Sequence, residues 1–127
     1  MGKIWNIDGI NKDYITDVNK ILKEYATGLN SSQKTLNADI DVSMTYGPQV
    51  IFKLYIKNNI NVDLFTVIVN FDGRVDLLIN YYNEVERHDS ISIDDMEKIL
   101  DTTIKSEKMG YVILYLIRIV NINEKKL

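Results

Sequence analysis

Residues Leu36 to Thr45 alternate without a break. Leu36, Ala38, Ile40, Val42 and Met44 are apolar, and Asn37, Asp39, Asp41, Ser43 and Thr45 between them are polar. In an extended chain successive side chains point to opposite sides, so this stretch predicts a strand with one buried and one wet face. A helix would scatter the same residues around its circumference. The pattern also constrains the rest of the chain. A strand on its own leaves a row of backbone donors and acceptors unpaired, so neighbouring strands must supply partners.

Those partners can be read downstream. Tyr46-Gly47-Pro48-Gln49 has turn composition. Val50, Phe52, Leu54 and Ile56 then carry the apolar face of a second strand, with Ile51, Lys53, Tyr55 and Lys57 on its other side. Asn58-Asn59 is the next turn. A third strand is expected from Val62 to Phe71, with Phe65, Val67, Val69 and Phe71 on one face and Leu64, Thr66 and Ile68 on the other. Asp72-Gly73 is a strong hairpin signal, because both residues tolerate positive φ. Val75, Leu77, Ile79 and Tyr81 then oppose Arg74, Asp76, Leu78, Asn80 and Tyr82 on a fourth strand. Short turns between successive strands favour an antiparallel meander.

Helices flank this block. Asn11 is expected to cap the first, with Ile10 packing back on Ile15. Tyr14, Val18, Ile21, Leu22 and Tyr25 form its apolar face, and Gly28 is expected to end it. Trp5, the single tryptophan, is expected to pack down and anchor the amino terminus. Asn83 to Ser90 reads as a polar segment. Ser92-Ile93-Asp94-Asp95 resembles a capping box opening a second helix, whose face is Met96, Ile99, Leu100, Thr103 and Ile104. Gly110 is expected to stop it. Tyr111 to Ile122 is dense in Val, Ile and Tyr and has no helical polar face. It predicts a fifth strand buried on both faces, with a core helix as the competing reading. The expected architecture is therefore α+β: an N-terminal helix, a four-stranded antiparallel meander, a second helix and a C-terminal strand. Residues 1–127 form one domain, the usual size for a single core.

Composition narrows the chemistry. There is no cysteine, which removes disulfides, thiol catalysis and Cys-ligated metals. Met1 to Asp8 lacks the apolar run of a signal peptide, and no stretch reaches bilayer length, so a cytoplasmic chain without a membrane segment is expected. The net charge is −3, with both signs interspersed and only three arginines, Arg74, Arg87 and Arg118. That argues against nucleic acid, even though Tyr46, Tyr55, Tyr81, Tyr82, Tyr111 and Tyr115 could stack on bases. His88 is the single histidine. It stands near Glu84, Glu86 and Asp89, too small a ligand set for a typical zinc site. The carboxylate pairs Asp39 with Asp41, Asp63 near Asp76, and Asp94 with Asp95 fall on strand faces or in a helix's first turn. Ser90 beside His88 has no nucleophile elbow, and no glycine-rich phosphate loop is present. No cofactor or metal is expected.

What remains is a surplus. The middle strands place Ile51, Tyr55, Leu64, Ile68, Leu78 and Tyr82 on the face opposite the core, beside Lys53. The chain's own helices, a second copy or a partner must cover such a surface. The expected function is a noncatalytic protein-binding module: a small acidic inhibitor, antidote or adaptor, or a self-associating chain. Its contact residues are Ile51, Lys53, Tyr55, Leu64, Ile68, Leu78 and Tyr82. The alternative is a small ligand-binding or hydrolytic domain with a pocket formed by the curved sheet and a helix.

Overall fold

The computed structural model describes residues 2–5, 13–44 and 49–125. The proposed roles of Ile10 and Asn11 and most of the Tyr46-Gly47-Pro48 turn lie outside the described residues. The elements are α1 (Tyr14–Ser32), β1 (Ala38–Met44), β2 (Val50–Lys57), β3 (Asn61–Val69), β4 (Val75–Asn80), β5 (Val85–Ile91), α2 (Ile93–Ile104) and α3 (Glu107–Lys125). The five strands form one antiparallel meander in the order β1-β2-β3-β4-β5. The fold class expected above is corrected in two places. The sheet has five strands rather than four, and the chain ends in two helices rather than in a strand.

Both corrections have a local cause. Residues 111–122 belong to α3, which buries Met109, Val112, Leu116 and Val120 at spacings of three and four. The β-branched residues around that stripe favour strands only weakly, and packing against the core overrides the preference. The start signal is Ser106, whose hydroxyl accepts the Met109 backbone N–H at 3.1 Å. Gly110 therefore lies inside α3 and does not stop α2. β5 escaped the reading because it is a polar edge strand, Val-Glu-Arg-His-Asp-Ser-Ile. Charge on an edge strand discourages pairing with other chains, at the cost of the alternation that identifies a strand.

Asp13 caps α1, its carboxylate accepting the Thr16 backbone N–H at 3.0 Å and the Thr16 hydroxyl at 2.6 Å. The helix runs through Gly28 to Ser32. Its last carbonyls are satisfied by donors further along: the Ser32 hydroxyl bonds Gly28 O and the Gln33 amide bonds Leu29 O. Asn30 then ties the helix to the sheet edge, exchanging two hydrogen bonds with the Ala38 backbone. Ser92 caps α2 as expected, accepting the Asp95 N–H at 3.0 Å.

One core joins the helices to the middle of the sheet; at the β1 edge it takes Ala38 and half-buries Ile40, while Val42 and Met44, expected on the buried face, are exposed because no helix covers that end of the strand. Val50, Phe52, Leu54 and Ile56 of β2, Phe65, Val67 and Val69 of β3, and Val75, Leu77 and Ile79 of β4 share the inner face of the sheet. Val18 and Leu22 of α1, Met96 and Leu100 of α2 and the α3 stripe cover it. The result is two layers, with three helices on one side of a sheet. Trp5 is exposed rather than packed down, and Phe71 is exposed in the β3–β4 turn rather than facing the core. No helix among the described residues is long and apolar enough to cross a membrane.

Candidate functional site

Three features of the surface merit a functional reading. The first is the outer face of the sheet. Register places Asp41, Lys53, Thr66, Leu78 and Arg87 in one row and Ser43, Ile51, Ile68 and Asp76 in the next. Asp39, Tyr55 and Asp63 make a third. Ile51, Lys53, Tyr55, Ile68 and Leu78 thus share this face, all half-buried by their cross-strand neighbours. Two expected members do not. Leu64 is the extra residue of a β-bulge: Leu54 faces Phe65, Tyr55 faces Asp63, and Leu64 between them turns into the core at 2 % exposure. Tyr82 lies beyond the end of β4, in the turn before β5. The charges on the outer face are also answered within it, Lys53 pairing with Asp63 at 3.4 Å and Lys57 with Asp39 at 3.7 Å. Exposed pairs like these contribute at most about 1 kcal/mol each. The face is a mosaic more than an apolar plate.

The second feature is a tyrosine surface made by the β4–β5 turn and α3. The turn is closed by the Tyr81 N–H donating to Glu84 O at 2.9 Å, and Tyr82 occupies it at φ 74°. That region is costly for a bulky side chain. The Tyr82 N–H donates to the Asn80 side chain at 2.9 Å, and its ring meets Tyr115 edge-on, centroids 5.4 Å apart. Burial, and secondarily Tyr115, raise the Tyr82 pKa above the usual tyrosine value. Tyr81, Tyr111 and Val112 complete a shallow groove of about 280 Å³, with the Lys108 ammonium 4.3 Å from the Tyr81 ring centroid and ion-paired to Glu84. Outward along α3 stand Tyr111 (64 % exposed), Leu114, Tyr115 (53 %) and Ile122. Sequence reasoning missed this surface because it treated 111–122 as buried on both sides. The available signal was the spacing 111, 114, 115, 118 and 122, one face of a helix.

The third feature is a cleft of about 410 Å³ between α1 and the α2–α3 pair. Leu54, Leu64 and Phe65 form its floor, and Leu64 reaches it because of the bulge. Its rim carries Glu24, Glu97 and Asp101. The Tyr25 hydroxyl donates to the Asp101 carboxylate at 2.5 Å and approaches Glu97 O at 3.1 Å. Burial, then the bond to Asp101, then the fields of Asp101, Glu97 and Glu24 push the Tyr25 pKa far above the usual tyrosine value. Only Asp101 meets this hydroxyl with its carboxylate; Glu97 meets it through its backbone carbonyl.

The other candidate groups are accounted for singly. β5 puts His88 and Glu86 on one side of the strand, Nε2 to Oε2 2.7 Å, while Glu84 turns to Lys108. Arg87 pairs with Asp89 at 2.6 Å. Asp39 and Asp41 do point from one strand face, but Asp39 meets Lys57 and Asp41 lies opposite Lys53. Asp63 and Asp76 stand in different rows, and Asp76 accepts the Ser90 N–H at 2.8 Å. Ser90, at φ 52°, sits where the β4–β5 register shifts. Asp94 and Asp95 occupy the first turn of α2. Among the described residues no three His, Cys, Asp or Glu side chains are grouped to hold a metal ion. No protein-family model, curated protein or solved structure matches the chain.

Proposed function

We propose that this chain is a noncatalytic protein-binding module, a small acidic adaptor or inhibitor that works in the cytoplasm, and that Tyr82, Tyr111 and Tyr115 form the centre of its contact surface. One observation carries the reading: a run of large apolar side chains along α3 is left about half exposed, and it adjoins a tyrosine held at positive φ. Large exposed apolar patches mark interaction sites, and tyrosine anchors interfaces because it combines apolar area with few rotatable bonds. Strained backbone persists where the surroundings hold it, and it concentrates at functional positions. Ile51, Lys53, Tyr55, Ile68 and Leu78 form a second, weaker candidate surface, since their neighbours already neutralise its charges.

Charge insertion separates the two surfaces. Sedimentation velocity measures self-association, and affinity capture with quantitative mass spectrometry measures other partners. Both are run on the wild type, Tyr115→Asp, Tyr55→Asp and Leu78→Asp. The expected result is loss of association in Tyr115→Asp alone, with circular dichroism unchanged. Loss confined to Tyr55→Asp and Leu78→Asp would move the site to the sheet. Association unaffected by all three would refute the binding reading.

A further inference from the structure

We propose that the cleft between α1 and the α2–α3 pair is a binding site for a small amphipathic cation, its apolar body against Leu29, Ile104 and Ile113 above the buried floor of Leu54, Leu64 and Phe65, and its ammonium or guanidinium group at Glu24, Glu97 and Asp101. The inference is independent of the tyrosine surface, which lies at the β4–β5 turn.

Shape, charge and backbone support it separately. The volume of about 410 Å³ falls within the range of small-molecule sites, which are apolar cavities with a few convergent polar groups. The rim has one sign only. No lysine, arginine or histidine lines the cleft, and among the described residues none of its three carboxylates forms an ion pair. Tyr25 of α1 links this wall to α2, where Glu97 and Asp101 are one turn apart. Its hydroxyl engages one Asp101 oxygen at 2.5 Å and leaves the other for a ligand. An anion would meet repulsion at this rim, and a neutral ligand would leave the field unused.

The α1 wall of the cleft contains Gly28. It sits inside α1, where glycine is less favourable than any residue except proline. Its φ is not in the left-handed region, so the conformation does not require it. A Cβ there would meet nothing within 4 Å, so packing does not require it either. What its missing side chain does is keep the α1 wall of the cleft clear. The β3 bulge acts toward the same end, adding Leu64 to the floor beside Phe65.

The test is an NMR titration of the ¹⁵N-labelled full chain with octylammonium chloride, 1-octanol and sodium octanoate, which share an apolar chain and differ in head group. Octylammonium is expected to shift the amides of the cleft and to bind roughly ten times more tightly than octanol, with octanoate weakest. Added salt should narrow the difference. Gly28→Leu fills the cleft and should abolish all three affinities while the thermal midpoint stays at or above that of the wild type. Glu24→Gln with Glu97→Gln removes rim charge without touching the core. It should lower the ammonium-to-alcohol ratio severalfold, with Asp101 keeping the remainder, and leave octanol binding as it was. Octanoate binding as well as octylammonium, shifts mapping to the Tyr82–Tyr115 surface, or full binding by Gly28→Leu would each overturn the assignment. A Lys/Leu-rich peptide that occupies the cleft when octylammonium does not would also overturn it, in favour of a polypeptide ligand.

Discussion

Replacing Gly73 by alanine tests how the β3–β4 hairpin is docked on α1. The hairpin closes with Gly73 N–H on Asn70 O at 3.0 Å and Asn70 N–H on Arg74 O at 2.9 Å, which puts Gly73 at φ 86°. An L-residue in that region costs roughly 1–2 kcal/mol. A second cost is steric. A Cβ at Gly73 would collide with Cζ and both Cε atoms of the Tyr14 ring, which packs against the glycine from the first turn of α1. Forcing an added carbon into such a contact costs about 1–3 kcal/mol. The two effects together predict a loss of about 3 kcal/mol for Gly73→Ala, a large share of a stability that is typically about 5–15 kcal/mol. A double-mutant cycle separates them. In a Tyr14→Ala background the ring is gone, so Gly73→Ala should cost only the backbone part, about 1–2 kcal/mol, and the two sites should couple by at least about 1 kcal/mol. Urea denaturation followed by far-UV circular dichroism measures both quantities, with an unchanged slope as the check on two-state behaviour. Gly73→Asn adds a control, since Asn tolerates positive φ but still meets the ring. If Gly73→Ala cost the same with and without Tyr14, the claimed docking of hairpin on helix would be wrong.

Further outcomes are expected elsewhere. Tyr82→Gly relieves a positive φ, worth about 1 kcal/mol, and loses an edge contact with Tyr115 of about 0.5–1.5 kcal/mol. Its thermal midpoint should therefore stay near that of the wild type while partner binding falls; a large loss of stability would show that Tyr82 serves the fold instead. Ser92→Ala removes the α2 cap and should cost about 1 kcal/mol by urea titration, with Ser92→Asp close to the wild type. Tyr25 is held neutral in the folded chain, with its pKa raised above the ordinary 10.0. As pH rises past 10 the unfolded chain loses this proton and the folded chain keeps it, so the group's contribution, complete below that pH, declines. Tyr25→Phe should make alkaline unfolding shallower above pH 10 and leave its shape unchanged between pH 7 and 9; an identical alkaline slope in the two proteins would contradict this.

Much of the sheet was legible because alternation is a local property. Phe52, Leu54, Val67, Val69, Leu77 and Ile79 all lie on the inner face that their spacing assigns. Asp72-Gly73 turns the chain where expected, although only Gly73 takes positive φ, and Ser92 caps α2 where its hydroxyl placed it. The failures share a physical character. Nothing local says that Leu64 is a bulge residue. The bulge arises from how Tyr55 and Asp63 align across two strands, and the one-residue shift moves Leu64 from a supposed contact face into the core. Tyr82 left the same face because the turn before β5 ends the alternation. β5 is a strand because β4 offers it an open edge, although its own residues favour water. α3 is a helix although rich in strand formers, because Met109, Val112, Leu116 and Val120 bury against a core assembled from the rest of the chain.

The cleft illustrates the division most clearly. Glu24 of α1, Leu64 of β3 and the Glu97–Asp101 pair of α2 come from three distant segments, and each has an ordinary local role on a helix face or a strand. Short-range spacing dictates which side of its own element a residue occupies. Which elements then face one another, and which like charges are left together around an apolar floor, depends on packing across the whole domain, where contacts between distant segments outweigh local preference.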